Sequence, residues 1–216
     1  MPSPAVLKER PTCLPGGNLR SMPGASTTPL RDSVHPRERI LATAYDLFAR
    51  RGVRDVGVDE LIARAAVAKA TFYRHFPSKD DVVLAFLERR EQLWTFEMVE
   101  KEAKRRGSTA EDQLLAIFDI FDEWFRRADF EACSFINVLL EMGSKHRLGE
   151  ASIAHLENIR SMVRRLAEEA ALREPAGFAH SWHILMKGAI VAAAEGDADA
   201  AQRAKGMARC LLDQHR

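Results

Sequence analysis

The densest chemistry in the chain lies between Lys69 and Lys79, KATFYRHFPSK. Lys69, Arg74, His75 and Lys79 supply cations or donors, Thr71 and Tyr73 supply hydroxyls, and no carboxylate interrupts them. This mixture suits a phosphate-lined groove: cations and hydroxyls anchor to the backbone, while a small residue such as Ala70 lets a helix approach base edges. Elsewhere the reactive residue types are scattered. Cys13, Cys133 and Cys210 form no CxxC pair and no metal-ligand spacing, which fits a reduced compartment. His180 and His183 are three apart on one helical stretch, with His146 and His155 elsewhere. A zinc site can be drawn from them, but lone helical histidines more often face solvent or bond within a core, so neither metal nor cofactor is expected. No nucleophile–base motif points to an enzyme. Cys133, on an apolar stretch with no basic neighbour in sequence, reads as a small buried hydrophobe.

The elements that would position these groups are all helical. From Pro36 onward every segment carries helical period and no stretch alternates like a strand. Ile40, Leu41, Ala44, Leu47 and Phe48 share a face, and Gly52 stands where that helix ends. Val58, Leu61, Ile62 and Ala65 form a short second stripe. A three-residue turn, Ala66-Val67-Ala68, leads into a third helix from Lys69, with Phe72 and Phe76 at i, i+4, and Pro77 stops it. Ser78 with Asp81 reads as a capping box opening a long helix to about Ala103. Thr109 caps the next. Further helices are expected near 131–143, 150–172, 176–195 and 198–214, about nine in all, with no sheet. Residues 1–33 hold six of the nine prolines and read as a disordered arm, in function a leader, a mis-assigned start or a segment touching DNA. Residues 34–80 form a three-helix unit and 81–216 a larger bundle.

A helix, a tight turn and a basic helix also describe an ordinary helical hairpin with a charged surface. The residues say more. Thr71 to Lys79, TFYRHFPSK, closely resembles the T-[LF]-Y-x-[HY]-F-x-[SN]-K signature of the TetR/AcrR family of regulators. It follows a helix from Val58 and a helix ending DLFARRG (Asp46 to Gly52), so the resemblance covers about 45 residues. Phe130 to Asn137, FEACSFIN, is similar to the GCPFIN stretch of many such proteins. The resemblance implies an all-α fold with an N-terminal helix-turn-helix domain, a connecting fourth helix, and a C-terminal bundle that binds a ligand and dimerises. It makes Thr71 and Tyr73 groove and phosphate contacts, His75 a backbone contact and Lys79 a phosphate-binding lysine, with Lys69 and Ala70 near base edges and Arg74 beside them. Two positions depart from the pattern. Ala66 replaces the usual turn glycine, so a left-handed backbone there would be strained. Gly57 and Val58 replace the Ser/Thr that often caps the second helix.

The C-terminal part carries a heavy aromatic and methionine load. Trp94, Phe118, Phe121, Trp124, Phe125, Phe135, Met142, Trp182 and Met186 either line an apolar ligand cavity or simply pack a core. Asn137, Glu141, His155 or His183 would orient a ligand's polar end. The last two helices are apolar over much of their circumference, and Leu185, Ala189, Ile190, Ala193, Ala204, Met207, Ala208 and Leu211 are the expected dimer seam, with burial inside one subunit accounting for part of that surface.

The whole-chain balance of 32 Lys+Arg against 31 Asp+Glu argues against nonspecific coating of nucleic acid. Residues 36–80 hold nine Lys/Arg against six Asp/Glu, so the excess sits where the groove would be. No apolar run approaches the roughly 20 residues needed to span a bilayer, and a cytoplasmic protein is expected. The expected function is a homodimeric, ligand-responsive repressor on double-stranded operator DNA. A bundle that binds small molecules, or an enzyme, without touching DNA is the alternative.

Overall fold

The computed structural model describes residues 35–216; the proline-rich arm expected at 1–33 lies outside them. Among the described residues the chain is built from nine helices and contains no strand. Helix α1 (Pro36–Arg51) starts where its sequence says it should. His35 accepts from the Arg37 N–H, Pro36 occupies the first turn, and Gly52 ends the helix at φ 81°. Its apolar stripe, Ile40 to Phe48, is buried as expected. Helices α2 (Val58–Ala65) and α3 (Lys69–His75) follow. The turn between them is left-handed at Ala66 (φ 51°, ψ 48°), and the amides of Ala66 and Val67 bond back to Ala63 and Ile62.

Helix α4 is a continuous rod in three parts: α-helical Lys79–Arg90, a wider π-helical stretch Glu91–Glu100, and α-helical Lys101–Arg106. Ser78 and Asp81 form the expected capping box. The π stretch was not legible beforehand. It matches the burial, because Trp94 and Val99, five residues apart, both face the core, a spacing that i→i+5 turns bring onto one side.

Helix α5 (Ala110–Phe125) opens on the Thr109–Asp112 capping box. Helix α6 (Ser134–Met142) begins later than the period suggests, because Ala132 has φ 58° and breaks the helix ahead of it. Helices α7 (Arg147–Glu169), α8 (Pro175–Ala194) and α9 (Ala200–His215) complete the fold within three residues of the expected bounds. One apolar core runs from Ile40 in α1 to Leu212 in α9. Phe86 in α4 packs against α1, with its ring 5.5 Å from Tyr45 and 5.6 Å from Phe48. Helix α1 is therefore packed on the rod that also enters the bundle, and α2 and α3 are packed on α1.

Candidate nucleic-acid interface

Helix α3 has an inner and an outer side. Phe72 is fully buried and Phe76 nearly so, with their rings 6.4 Å apart. The Arg37 guanidinium covers Phe76 from outside, 5.2 Å from the ring centre. With the two phenylalanines pinned, the remaining residues are forced outward. Lys69, Ala70, Tyr73 and Arg74 are exposed, while Thr71, His75 and Lys79 are half-buried. All seven residues expected to meet DNA thus lie on or just beyond one short helix, and none is withdrawn into the core. The Lys69–Asp59 pair, 3.8 Å apart with both side chains mostly exposed, is too solvated to hold Lys69 away from a stronger anion.

The electrostatics distinguish the basic groups. His75 lies edge-on to His35, ring centres 5.1 Å apart. Loss of solvent first, then the charges of His35, Arg74 and Arg37, push its pKa down, so at neutral pH it offers a neutral ring. The Lys79 ammonium is also pushed down by burial, against the upward pull of Glu141, Asp80 and Asp55. Its charge is partly desolvated before any phosphate arrives.

Glu141 is the residue that sequence reasoning placed differently. It was expected to orient a ligand inside the bundle. Its carboxylate instead leaves α6 and accepts from the backbone N–H of Val53, at 2.9 Å, and of Arg54. It lies so close to Gly52 that a Cβ there would sit 3.2 Å from its oxygen. The bundle is thereby fastened to the loop between α1 and α2. One signal was available: an acid in the last turn of a helix opposes the helix dipole, so it needs a partner elsewhere. Two further contacts tie the start of α7 to the start of α4, Arg147 to Asp81 at 3.1 Å and His146 to Asp80 at 3.8 Å.

The residues expected to line a ligand cavity separate into groups. Trp94 and Trp124 line a cavity of about 460 Å³ between α1, α4 and the segment after α5. Asn137 borders a neighbouring open cleft. Phe118, Phe121, Phe135, Trp182, His183 and Met186 are buried, several in ring-to-ring contact: Phe118 with Trp182 at 5.3 Å, Phe118 with Phe121 at 6.1 Å. Phe125 and Met142 sit half-buried at the edge of the core. Burial pushes the His183 pKa down to about 3, with Lys187, Arg160 and His180 adding repulsion.

The expected dimer seam divides in the same way. Ala189, Ile190, Ala204 and Ala208 are buried within the subunit. Leu185, Ala193 and Leu211 are half-buried and Met207 is exposed. Cys210, on the same expected stripe as Met207, lies outward, and so do Ile184 (67% exposed) and Val191, which were not expected. A helix apolar on every side does not reveal which stripe its own bundle takes.

The profile of the bacterial regulatory proteins of the tetR family matches residues 40–86, from α1 into α4. SCO4454, a TetR-family transcriptional regulator from Streptomyces coelicolor, superposes with a TM-score of 0.75 at 26% identity, over 83% of this chain and 95% of that one. Residues 40–86 of the chain thus carry the N-terminal domain of the tetR family, and the fold beyond them is similar to that of a TetR-family regulator. The HTH-type transcriptional regulator EthR of Mycobacterium tuberculosis is 46% identical over 50 residues, which are 23% of either chain. The chain thus spans about a quarter of the length of that relative. The transcriptional regulator AcuR of Cereibacter sphaeroides is 27% identical over 197 residues, 87% of each chain. These relatives are regulators, not enzymes. Within the TetR family match lie both the anchoring pair Phe72–Phe76 and the outward residues of α3, whereas Glu141 and the Trp94–Trp124 cavity wall lie beyond it.

Proposed function

We propose that this protein is a homodimeric transcriptional regulator that places α3 of each subunit in successive major grooves of a near-palindromic operator. The observation that carries this reading is the outward face of α3: Lys69, Tyr73 and Arg74 exposed, backed by buried Phe72 and Phe76. Cations and hydroxyls there would take phosphates, and the small Ala70 leaves room for base edges. Dimerisation through α8 and α9 would set the half-site spacing, about 34 Å per helical turn, and the exposed Ile184 and Met207 support that seam.

A small molecule bound beside α4 would alter the relation of the two heads and release the operator. DNA and ligand then weaken each other's binding by the same factor. Repression relieved by ligand is the proposed outcome, in the cytoplasm where the operator lies. Among the described residues no helix is long and apolar enough to cross a membrane.

A gel shift on DNA upstream of its own and neighbouring genes tests the reading. Tyr73→Ala with Lys79→Ala should abolish a salt-sensitive shift that Cys133→Ala leaves intact. A shift lost with Cys133→Ala alone, or no shift on any fragment, overturns it.

A further inference from the structure

The cavity of about 460 Å³ lies where a bound molecule would touch both the DNA-binding helices and the rod α4. Tyr45 comes from α1, Arg90, Trp94 and Met98 from α4, and Trp124 from the end of α5. Its size is that of a small-molecule site. The indoles of Trp94 and Trp124 stand 5.3 Å apart, edge to face, and give it an aromatic floor. Both are 95% buried, so the floor is rigid.

The charges around the cavity are unevenly matched. Three carboxylates border it, and each has a cation. Asp46 is 2.9 Å from Arg50, Glu131 is 3.5 Å from the same arginine, and Asp129 is 2.7 Å from Arg127. Arg90 differs. Its side chain is buried, at 9% exposure, yet among the described residues no carboxylate lies within ion-pair distance of it. One guanidinium nitrogen donates to the Tyr45 hydroxyl at 2.7 Å, and the group lies over that ring, 5.7 Å from its centre. A guanidinium has five donors, and its other nitrogens are reached from the cavity. Buried charges are as a rule paired. Here the missing partner is an anion, and the space for it is present. Glu131 feels the charge of Arg90 from beyond ion-pair distance, but burial outweighs that pull and raises its pKa, and its one ion pair is with Arg50.

We infer that this cavity binds a small aromatic monocarboxylate, its carboxylate on Arg90 and its ring on Trp94 and Trp124. A planar carboxylate matches the guanidinium fork through two parallel hydrogen bonds, and a flat ring offers its edge or face to the indoles. A cation is disfavoured, because the rim carboxylates are already held by Arg50, shared between Asp46 and Glu131, and by Arg127 on Asp129. A dianionic phosphate ester carries a second charge that would face Asp46 and Asp129, whose cations are already engaged. The ligand's carboxylate competes with Tyr45 for Arg90, and so loosens one of the bonds that hold α1 on α4. That last consequence rests on the regulator reading above; the binding itself does not.

The test uses the full chain and 1-naphthoate as probe, followed by calorimetry and by tryptophan fluorescence. Saturable binding is expected, with 1-naphthylmethylamine and 1-naphthyl phosphate at least about tenfold weaker. Arg90→Met should weaken naphthoate by at least about tenfold. Because Arg90 is buried, Ala42→Phe provides a second variant: Ala42 is an exposed residue at the cavity wall, and a phenyl ring there should block entry with Arg90 untouched. No binding to the wild type, equal binding of the amine, tighter binding of the phosphate, or undiminished binding to both variants overturns the inference. A gel shift without probe is run in parallel. DNA binding with no naphthoate binding rejects the cavity alone, whereas naphthoate binding without any DNA shift rejects the regulator reading and leaves the cavity standing.

Discussion

Ala66 holds a backbone conformation that an L-residue avoids. With φ 51° and ψ 48° it lies in the left-handed region, at the turn that sets α3 against α2. For a residue with a Cβ this costs about 1–2 kcal/mol, because Cβ crowds the following carbonyl. Glycine removes the crowding but adds freedom to the unfolded chain, worth about 0.4–1 kcal/mol in the opposite direction. Ala66 is exposed, so deleting its methyl forfeits little packing, and the Arg39 side chain bonds its carbonyl oxygen, not its Cβ, at 3.0 Å. The net expectation for Ala66→Gly is stabilisation by about 1 kcal/mol, a rise of roughly 2–4 °C in Tm for a chain of this size.

Urea unfolding at one fixed protein concentration is the assay, since a dimer's stability depends on concentration. The m-value should not change. Two companions make the result decisive. Ala171→Gly, at a second exposed left-handed position (φ 54°) that ends α7 with the same backbone pattern, should gain a similar amount. Ala63→Gly, exposed inside α2, should lose about 1 kcal/mol, the ordinary penalty for glycine within a helix. If Ala66→Gly destabilises as Ala63→Gly does, the turn is not left-handed and the placement of α3 derived from it is wrong.

Glu141→Ala should cost about 2 kcal/mol by urea unfolding, since it strands the Val53 and Arg54 amides; Glu141→Gln, which keeps a neutral acceptor, should cost less. His183 should govern acid stability. Its folded pKa of about 3 lies below the unfolded 6.5, so the unfolded chain binds the extra proton between those values. Its contribution is complete above pH 6.5 and is lost as pH falls towards 3, at about 1.4 kcal/mol per pH unit. His183→Leu should therefore move the acid-unfolding midpoint to lower pH; an unmoved midpoint would show that another group controls it. Ile184→Asp with Met207→Asp changes two exposed residues and should yield a folded monomer by size-exclusion chromatography with unaltered helical circular dichroism; a retained dimer would place the seam elsewhere.

What could be read from the sequence followed from local physics. Ser78 with Asp81 and Thr109 with Asp112 are hydrogen-bond patterns within four residues, and Phe72 and Phe76 turn inward because a seven-residue helix can bury one side. What could not be read depended on distant partners. The carboxylate of Glu141 meets amides 87 and 88 residues away, and nothing near it in sequence announces them. Ile190 and Ile184 are both apolar and six residues apart on α8, yet one is buried and the other open, a choice made by how α8 and α9 rotate against the bundle. The π stretch of α4 likewise answers to which side chains the core must receive, not to any helix-breaking residue within it.

These distant ties also bear on how a ligand would move the proposed reading heads. Arg147–Asp81 and His146–Asp80 involve half-exposed side chains, and such pairs hold little energy, about 0–1 kcal/mol each. The Glu141 bonds are different in kind: an ionised acceptor on two backbone amides, together worth about 2 kcal/mol. Rotation of α1 and its loop away from α6 must break them, whereas it costs little at the start of α7. Moving a two-state equilibrium from 1:99 to 99:1 requires a ligand to prefer one state by about 5.5 kcal/mol, and a small acid on Arg90 spends part of its affinity displacing Tyr45. The Glu141 contact would then set how far that remaining preference can shift the heads. Weakening it through Glu141→Gln should lower the ligand concentration needed for release from DNA, while leaving naphthoate affinity for Arg90 nearly unchanged in the absence of DNA. Equal midpoints for Glu141→Gln and wild type in a gel shift titrated with naphthoate would mean that the heads pivot without disturbing α6.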